Sequence, residues 1–433
     1  MRIPTALCHL QSPSPPSSPP GEGAKVLQDL PFILILAPML PRGEGVVKHF
    51  LEHGEPTVEL QYGLISVDDH VPEHPEVWTQ RLSRTRWGDR IPHIATQPDG
   101  TEGWMVDGVK LPMSGVASAG AAMSDRTREP QRWAEVPKVA YDPAARLQAM
   151  DVDGVDASVL YPTVAGLAGE TFGRLTDPEL ELACVQAYND WLIEEWASTS
   201  PRFIPQCIVP IFPIEATVQE IQRAVKKGHK GVIFPAIPMH LRDVPHINEP
   251  VYDPLWATCQ DLAVPVCFHA GSSTRVQFPA YKDLSPGLAA ALSALTRPVS
   301  SVQVVANFLY SRILMRYPTL KVVFAESSLA WGAYELETAD HQFERQRLHL
   351  EGYDMKPSEM FHRQCYMTGW YDRSAIEARH YLGVDNILWE TNFPQATSTW
   401  PTTRDRIAQS FQGVPEDERA KMLWGNAAQL YKL

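Results

Sequence analysis

The feature that most constrains this chain is a series of short, continuous apolar runs, each followed by a stretch with helical periodicity. The runs start near residues 64, 157, 203, 231, 264, 320, 364 and 386. A strand with one wet face alternates apolar and polar residues, whereas a strand covered by helices on both faces reads as an unbroken apolar run, as these do. The connecting segments carry helix signals. Between Pro178 and Ser198, Leu180, Cys184, Ala187 and Trp191 recur at steps of three and four. Glu215 to Lys227 presents Val218, Ile221 and Val225 as its inner stripe and ends at Gly228. Asp142-Pro143 combines a capping residue with proline at the first helical position, and a long helical region runs from about Pro286 to Arg316. Eight such β-α units argue for an α/β fold of the distorted (β/α)8 TIM-barrel type. An open doubly wound sheet is the alternative, weakened because no GxGxxG or GxxxxGK[ST] follows the first strand.

The remaining sequence qualifies this plan at two places. Residues 1–55 read as a disordered Pro/Ser-rich leader, with Gln11 to Gly23 too polar to build a core, and are set apart from a barrel spanning 56–433. Leu30 to Leu40 has the look of a signal-peptide apolar region, but Glu22 and Asp29 precede it in place of a tight basic start. Residues 71–140 form an insertion after the first strand, in which Asp99-Gly100 and Asp107-Gly108 are hairpin-turn signals. With 44% apolar and 21% charged residues, wholesale disorder is excluded, and a net charge of −13 without a basic stretch argues against a nucleic-acid partner. The most apolar run, Phe32 to Leu40, is broken by Pro38 and falls short of the ~18 residues of a membrane span, so no membrane partner is expected. Cys8, Cys184, Cys207, Cys259, Cys267 and Cys365 lack CxxC spacing, which suits free thiols in a reducing cytoplasm.

In a (β/α)8 barrel the chemistry sits at the C-terminal ends of the strands. The first strand ends in Asp68-Asp69-His70, where Asp68 and His70 share a side of the strand and make a sound start for a divalent-metal site. Asp69 points the other way, towards a basic partner. The fifth strand ends in His269, the sixth in Glu326, and the eighth in Glu390-Thr391-Asn392.

Taken together, Ile65–His70, Tyr188–Trp191, Pro265–Gly271, Pro318–Glu326 and Leu388–Pro394 resemble, in order, the amidohydrolase-related family. This branch of the amidohydrolase superfamily includes aminocarboxymuconate-semialdehyde decarboxylase and hydroxybenzoate decarboxylases. The resemblance implies a mononuclear divalent metal, zinc or manganese, held by Asp68, His70, His269 and the strand-eight position, Asn392. The family usually reads Asp-Phe-Pro-His there; this chain reads Asn392-Phe393-Pro394-Gln395, and Glu326 stands where several decarboxylases carry histidine. A neutral amide is a weaker ligand and no base. A metal-free relative running acid-base chemistry such as cyclisation or isomerisation therefore stays open, as does a non-catalytic binding protein.

The expectation is an enzyme, a lyase or hydrolase, acting on a small cyclic or aromatic carboxylic acid by non-oxidative decarboxylation or hydrolysis. Its candidate catalytic residues are His269, Glu326, Glu390 and Asn392. Arg275 and Trp370 are candidates to contact substrate, against the plainer readings of a surface arginine and a packing tryptophan. Glu326 is equally suited to pair with a nearby arginine. A homodimer is expected by resemblance.

Overall fold

A computed structural model describes residues 58–126, 128–274, 276 and 284–433. The expected leader, residues 1–55, and Arg275 lie outside the described residues. All eight expected strands form: β1 (Ile65–Val71), β2 (Ala157–Pro162), β3 (Phe203–Ile208), β4 (Gly231–Ile233), β5 (Val266–His269), β6 (Val322–Ala325), β7 (Cys365–Gly369) and β8 (Ile387–Trp389). Each pairs in parallel with its neighbour in chain order, which is barrel topology; a doubly wound sheet would reverse its order. The strands are almost entirely buried, as unbroken apolar runs require.

The cylinder closes irregularly. β8 ends early, and the segment beyond it reaches β1 through Asn392 N–H to the Asp68 carbonyl (3.0 Å) and His70 N–H to the Phe393 carbonyl (2.7 Å). On its other edge β1 carries one extra residue between Ser66 and Asp69 relative to β2, a bulge that re-aims the strand end. Asp69 locks this seam. Its Oδ1 accepts from Ser66 Oγ (3.0 Å), Thr391 Oγ1 (2.6 Å) and Phe393 N–H (3.0 Å), and its Oδ2 from Ser158 Oγ (2.5 Å). Three hydroxyls and a backbone N–H bond the carboxylate directly, and the expected basic partner is the buried Arg146, whose charge favours the ionised form of Asp69.

The insertion holds short helices and a three-stranded antiparallel sheet of His93–Thr96, Glu102–Val106 and Val109–Lys110. Both hairpin signals act as turns. Asp107 (φ 50°) and Gly108 (φ 76°) form a two-residue connection in the left-handed region, and Asp99 Oδ1 accepts from Thr101 N–H at 3.0 Å. Asp142 caps the helix Pro143–Asp153 by accepting from Ala145 N–H (2.8 Å). In the helix Ile214–Lys227 the buried stripe is Ile214, Thr217, Glu220, Ile221 and Ala224, so Val218 and Val225 flank it instead of filling it. The rotation is explained by Glu220, drawn inward by Asn189 Nδ2 (2.7 Å) and Arg223 Nε (2.8 Å).

The expectation, drawn from Phe32 to Leu40, that no apolar stretch reaches the length of a membrane span needs correction. Gly287–Tyr310 has the length and apolar composition of a membrane span. Its second half packs into the protein through Val304, Val305, Phe308 and Leu309, while Leu288, Leu292 and Leu295 in its first half are exposed.

Removing the seam carboxylate should be costly. Asp69→Ala strands four buried donors, each worth ~1–3 kcal/mol when unsatisfied, and is expected to lower unfolding free energy by about 3 kcal/mol or more in urea titrations; a loss below about 1 kcal/mol would show that the seam does not depend on it.

Candidate metal centre

The strand ends converge. Asp68, His70 and His269 are fully buried, and one ligand atom from each lies within 4.8 Å of the others. His70 Nε2 is 3.3 Å from Asp68 Oδ1, His269 Nε2 is 3.1 Å from Asp68 Oδ2, and the two Nε2 atoms are 3.3 Å apart. The far nitrogens are tied to backbone: His70 Nδ1 to the Pro162 carbonyl (3.0 Å) and His269 Nδ1 to the Ala270 carbonyl (2.8 Å). A carbonyl only accepts, so each Nδ1 carries a proton, and each ring in its neutral form turns an Nε2 lone pair inward, the tautomer a metal-binding imidazole needs. Neither Asp68 oxygen accepts a properly directed hydrogen bond, although both are buried. A buried carboxylate facing two inward Nε2 atoms becomes, once the proton it shares with His269 is released, the donor set of a divalent cation.

Electrostatics agree. Burial pushes the Asp68 carboxyl up to about 6, against the pull of His269. Burial opposes charge on His269, but Asp68 and Glu326 outweigh it and raise the imidazole to about 9. Burial and the neighbouring His269 hold His70 well below its ordinary value. Without metal, the Asp68–His269 pair therefore keeps a proton where a cation would sit.

Two further carboxyl groups adjoin the triad. Glu326 Oε2 is 3.8 Å from His269 Nδ1; Glu326 also receives Asn392 Nδ2 (3.0 Å) and pairs with Arg297 Nη1 (3.3 Å to each oxygen), the arginine partner that sequence alone left unnamed. Glu390 is completely buried, its Oε1 lacks a partner, and its Oε2 accepts from Glu326 N–H at 3.4 Å. Burial and the charge of Asp68 raise the Glu390 carboxyl well above the usual range, which favours its protonated form. Asn392 spends its amide N–H groups on Glu326 and Thr397, leaving Oδ1 buried and bare. Glu326 and Asn392 adopt left-handed φ of 48° and 56°, a backbone strain found where side chains must be aimed.

Several supporting residues were not legible in the sequence. Arg146, buried over the Phe393 ring, donates to the His70 carbonyl (2.9 Å). Glu73 accepts from the Val164 (2.7 Å) and Ala165 (3.1 Å) N–H groups and holds the loop after β2. Beyond Arg297 opens a cavity of about 1060 Å³, lined by the insertion, the loop after β2, Gly271 and Gln395. Trp370 does not line it; the ring is buried and packs edge-on against Tyr371.

Comparison with known proteins places the chain. The family model described as Amidohydrolase matches residues 121–433, and the chain belongs to this family. Gamma-resorcylate decarboxylase of Polaromonas sp. (strain JS666) is 26% identical over 302 residues, covering 66% of this chain and 86% of that protein. Among solved structures, an amidohydrolase of Mycobacterium avium subsp. paratuberculosis superposes with a TM-score of 0.68 at 20% identity over 86% of this chain and all of the other. The dihydroxybenzoic acid decarboxylase of Polaromonas sp. JS666, solved with manganese and 2-nitroresorcinol, gives 0.59 at 19% identity, covering 86% and 98%.

Metal uptake must displace the shared proton. Mn2+ binding near pH 7 is expected to release about one proton, with apparent affinity rising as pH climbs towards about 9, where His269 loses its proton, and falling more steeply below about 6, where Asp68 also gains one. Calorimetry in buffers of different ionisation enthalpy checks this; pH-independent affinity without proton release would contradict it. Asn392→Asp exchanges a donor to Glu326 for a second carboxylate. It should lower the melting temperature of the metal-free protein and enlarge the shift that Mn2+ produces, as differential scanning fluorimetry would show; an unchanged metal shift would remove residue 392 from the ion's surroundings.

Proposed function

We propose that this chain is a metal-dependent lyase that removes carbon dioxide, without oxidation, from a small cyclic or aromatic carboxylic acid. Asp68, His70 and His269 hold one divalent ion, manganese or zinc, with the Asn392 carbonyl oxygen as the neutral fourth candidate. The ion, when bound, supplies a Lewis acid for substrate oxygens. The activity of gamma-resorcylate decarboxylase of Polaromonas and the manganese bound in the dihydroxybenzoic acid decarboxylase structure support this reading.

The observation that carries the choice of decarboxylation is the pairing of Glu390 with Asn392. Hydrolysis needs a base to take a proton from water, and the amide at 392 cannot be one. Loss of carbon dioxide needs the opposite, a proton delivered to ring carbon, and Glu390 is a completely buried carboxyl group whose protonated form burial favours. In this reading Glu390 gives its proton to the carbon bearing the carboxylate. The carbon–carbon bond then breaks, its electron pair restores the ring, and Glu390 regains a proton from solvent. Arg297 and the tautomers fixed by Pro162 and Ala270 keep the groups aimed.

A cytoplasmic enzyme is in keeping with the five described cysteines, all free and buried. A homodimer is supported by the family resemblance and by the exposed Leu288, Leu292 and Leu295 on one helix; sedimentation velocity at twice the monomer mass is the expected result, and a monomer at micromolar concentration would reject it.

The test is carbon dioxide release from a panel of hydroxybenzoates by the manganese-loaded chain. Glu390→Gln should lower turnover by about 10²–10⁴ with metal content unchanged. Full activity in this variant would exclude Glu390 as the acid, and no release from any acid by metal-loaded protein would overturn decarboxylation.

A further inference from the structure

The cavity that Arg297 lines is far larger than the single ring considered so far needs. About 150 Å³ suffices to hold a benzene ring, and drug-sized ligands fill roughly 300–1,000 Å³; this cavity measures about 1060 Å³. Two elements outside the barrel strands supply apolar residues to its lining, alongside charged ones such as Lys110, Glu129, Glu170 and Arg174. Val109, Leu111 and Met113 belong to the insertion, and Val164, Leu167 and Leu175 to the region after β2. A one-ring acid seated at the triad would leave these walls in water.

Arg297 stands at the junction. It lines the cavity and also bonds Glu326 beside the triad. Its side chain is 32% exposed while Glu326 is 3% exposed, so the guanidinium opens outward from the buried site. Its contacts with Glu326 and Gln395 run through Nη1 at 3.3 Å, longer than the ~2.7–2.9 Å of tight charge-assisted bonds. Such a fork keeps donors for a second carboxylate.

We infer that the substrate is a carboxylic acid with an apolar body of two or more rings, its acid group received at Arg297 and its body held between the insertion and the loop after β2. The inference rests on the decarboxylase reading for the chemistry but not for the binding. The insertion is then the specificity element: it adds apolar wall without touching the metal centre.

The experiment compares binding of 4-biphenylcarboxylate and benzoate to the manganese-loaded full chain by calorimetry. The biphenyl acid should bind about tenfold tighter or more, the gain from burying one further ring. Met113→Trp, which fills the far wall, should cut that ratio about fivefold or more, and Arg297→Gln should weaken both acids while preserving the ratio. Equal affinities, tighter benzoate binding, a ratio indifferent to Met113→Trp, or no saturable binding of either acid would overturn the inference. The readout is binding alone. A one-ring preference with intact carbon dioxide release therefore rejects the large substrate and leaves the chemistry standing, whereas a two-ring preference without release rejects the chemistry and leaves the substrate class.

Discussion

The closing of the barrel between β1 and the segment after β8 is the constraint on which the rest depends. Side chains at 68, 70, 269 and 392 are far apart in sequence, and only a closed cylinder brings them to one mouth. The joint is made by two backbone hydrogen bonds and the Asp69 carboxylate, and the same residues that make it flank the metal candidates on either side. Asp68 and His70 face the site while Asp69, between them, ties the wall. One strand end thus serves architecture and chemistry through the alternation of side chains along a strand.

Charge balance explains why the departure at residue 392 is tolerable. A divalent ion beside Asp68, with no carboxylate at 392, leaves an excess of positive charge, and Arg297 adds to it. Glu326 offsets part of this excess, while burial favours the protonated form of Glu390. The remaining positive potential suits an anionic substrate. The amide at 392 also performs a task a carboxylate would perform badly: it donates to Glu326, where a second negative group would repel.

The fold was legible because its signal is distributed. Eight apolar runs, a capping aspartate at 142, a glycine stop at 228 and the Asp107-Gly108 turn are each local, and each forms where the sequence places it. The triad was legible through strand-end position and family resemblance. What escaped were residues whose roles depend on distant partners. Arg146, Arg297 and Glu73 carry no local pattern that separates a buried arginine or glutamate from a surface one. Trp370 failed in the opposite sense: position near a barrel mouth does not tell a cavity wall from a packed ring. The buried stripe of Ile214–Lys227 turned for the same reason, since Glu220 is held inside by Asn189 on another helix as well as by Arg223 on its own.

The central claim is that Asp68, His70 and His269 grip one cation. Anomalous diffraction at the manganese edge from crystals grown with Mn2+ tests it most directly. The account predicts a single strong peak about 2.0–2.3 Å from one oxygen of Asp68 and from both inward imidazole nitrogens. A peak elsewhere on the molecule, or none between those three side chains, would contradict it.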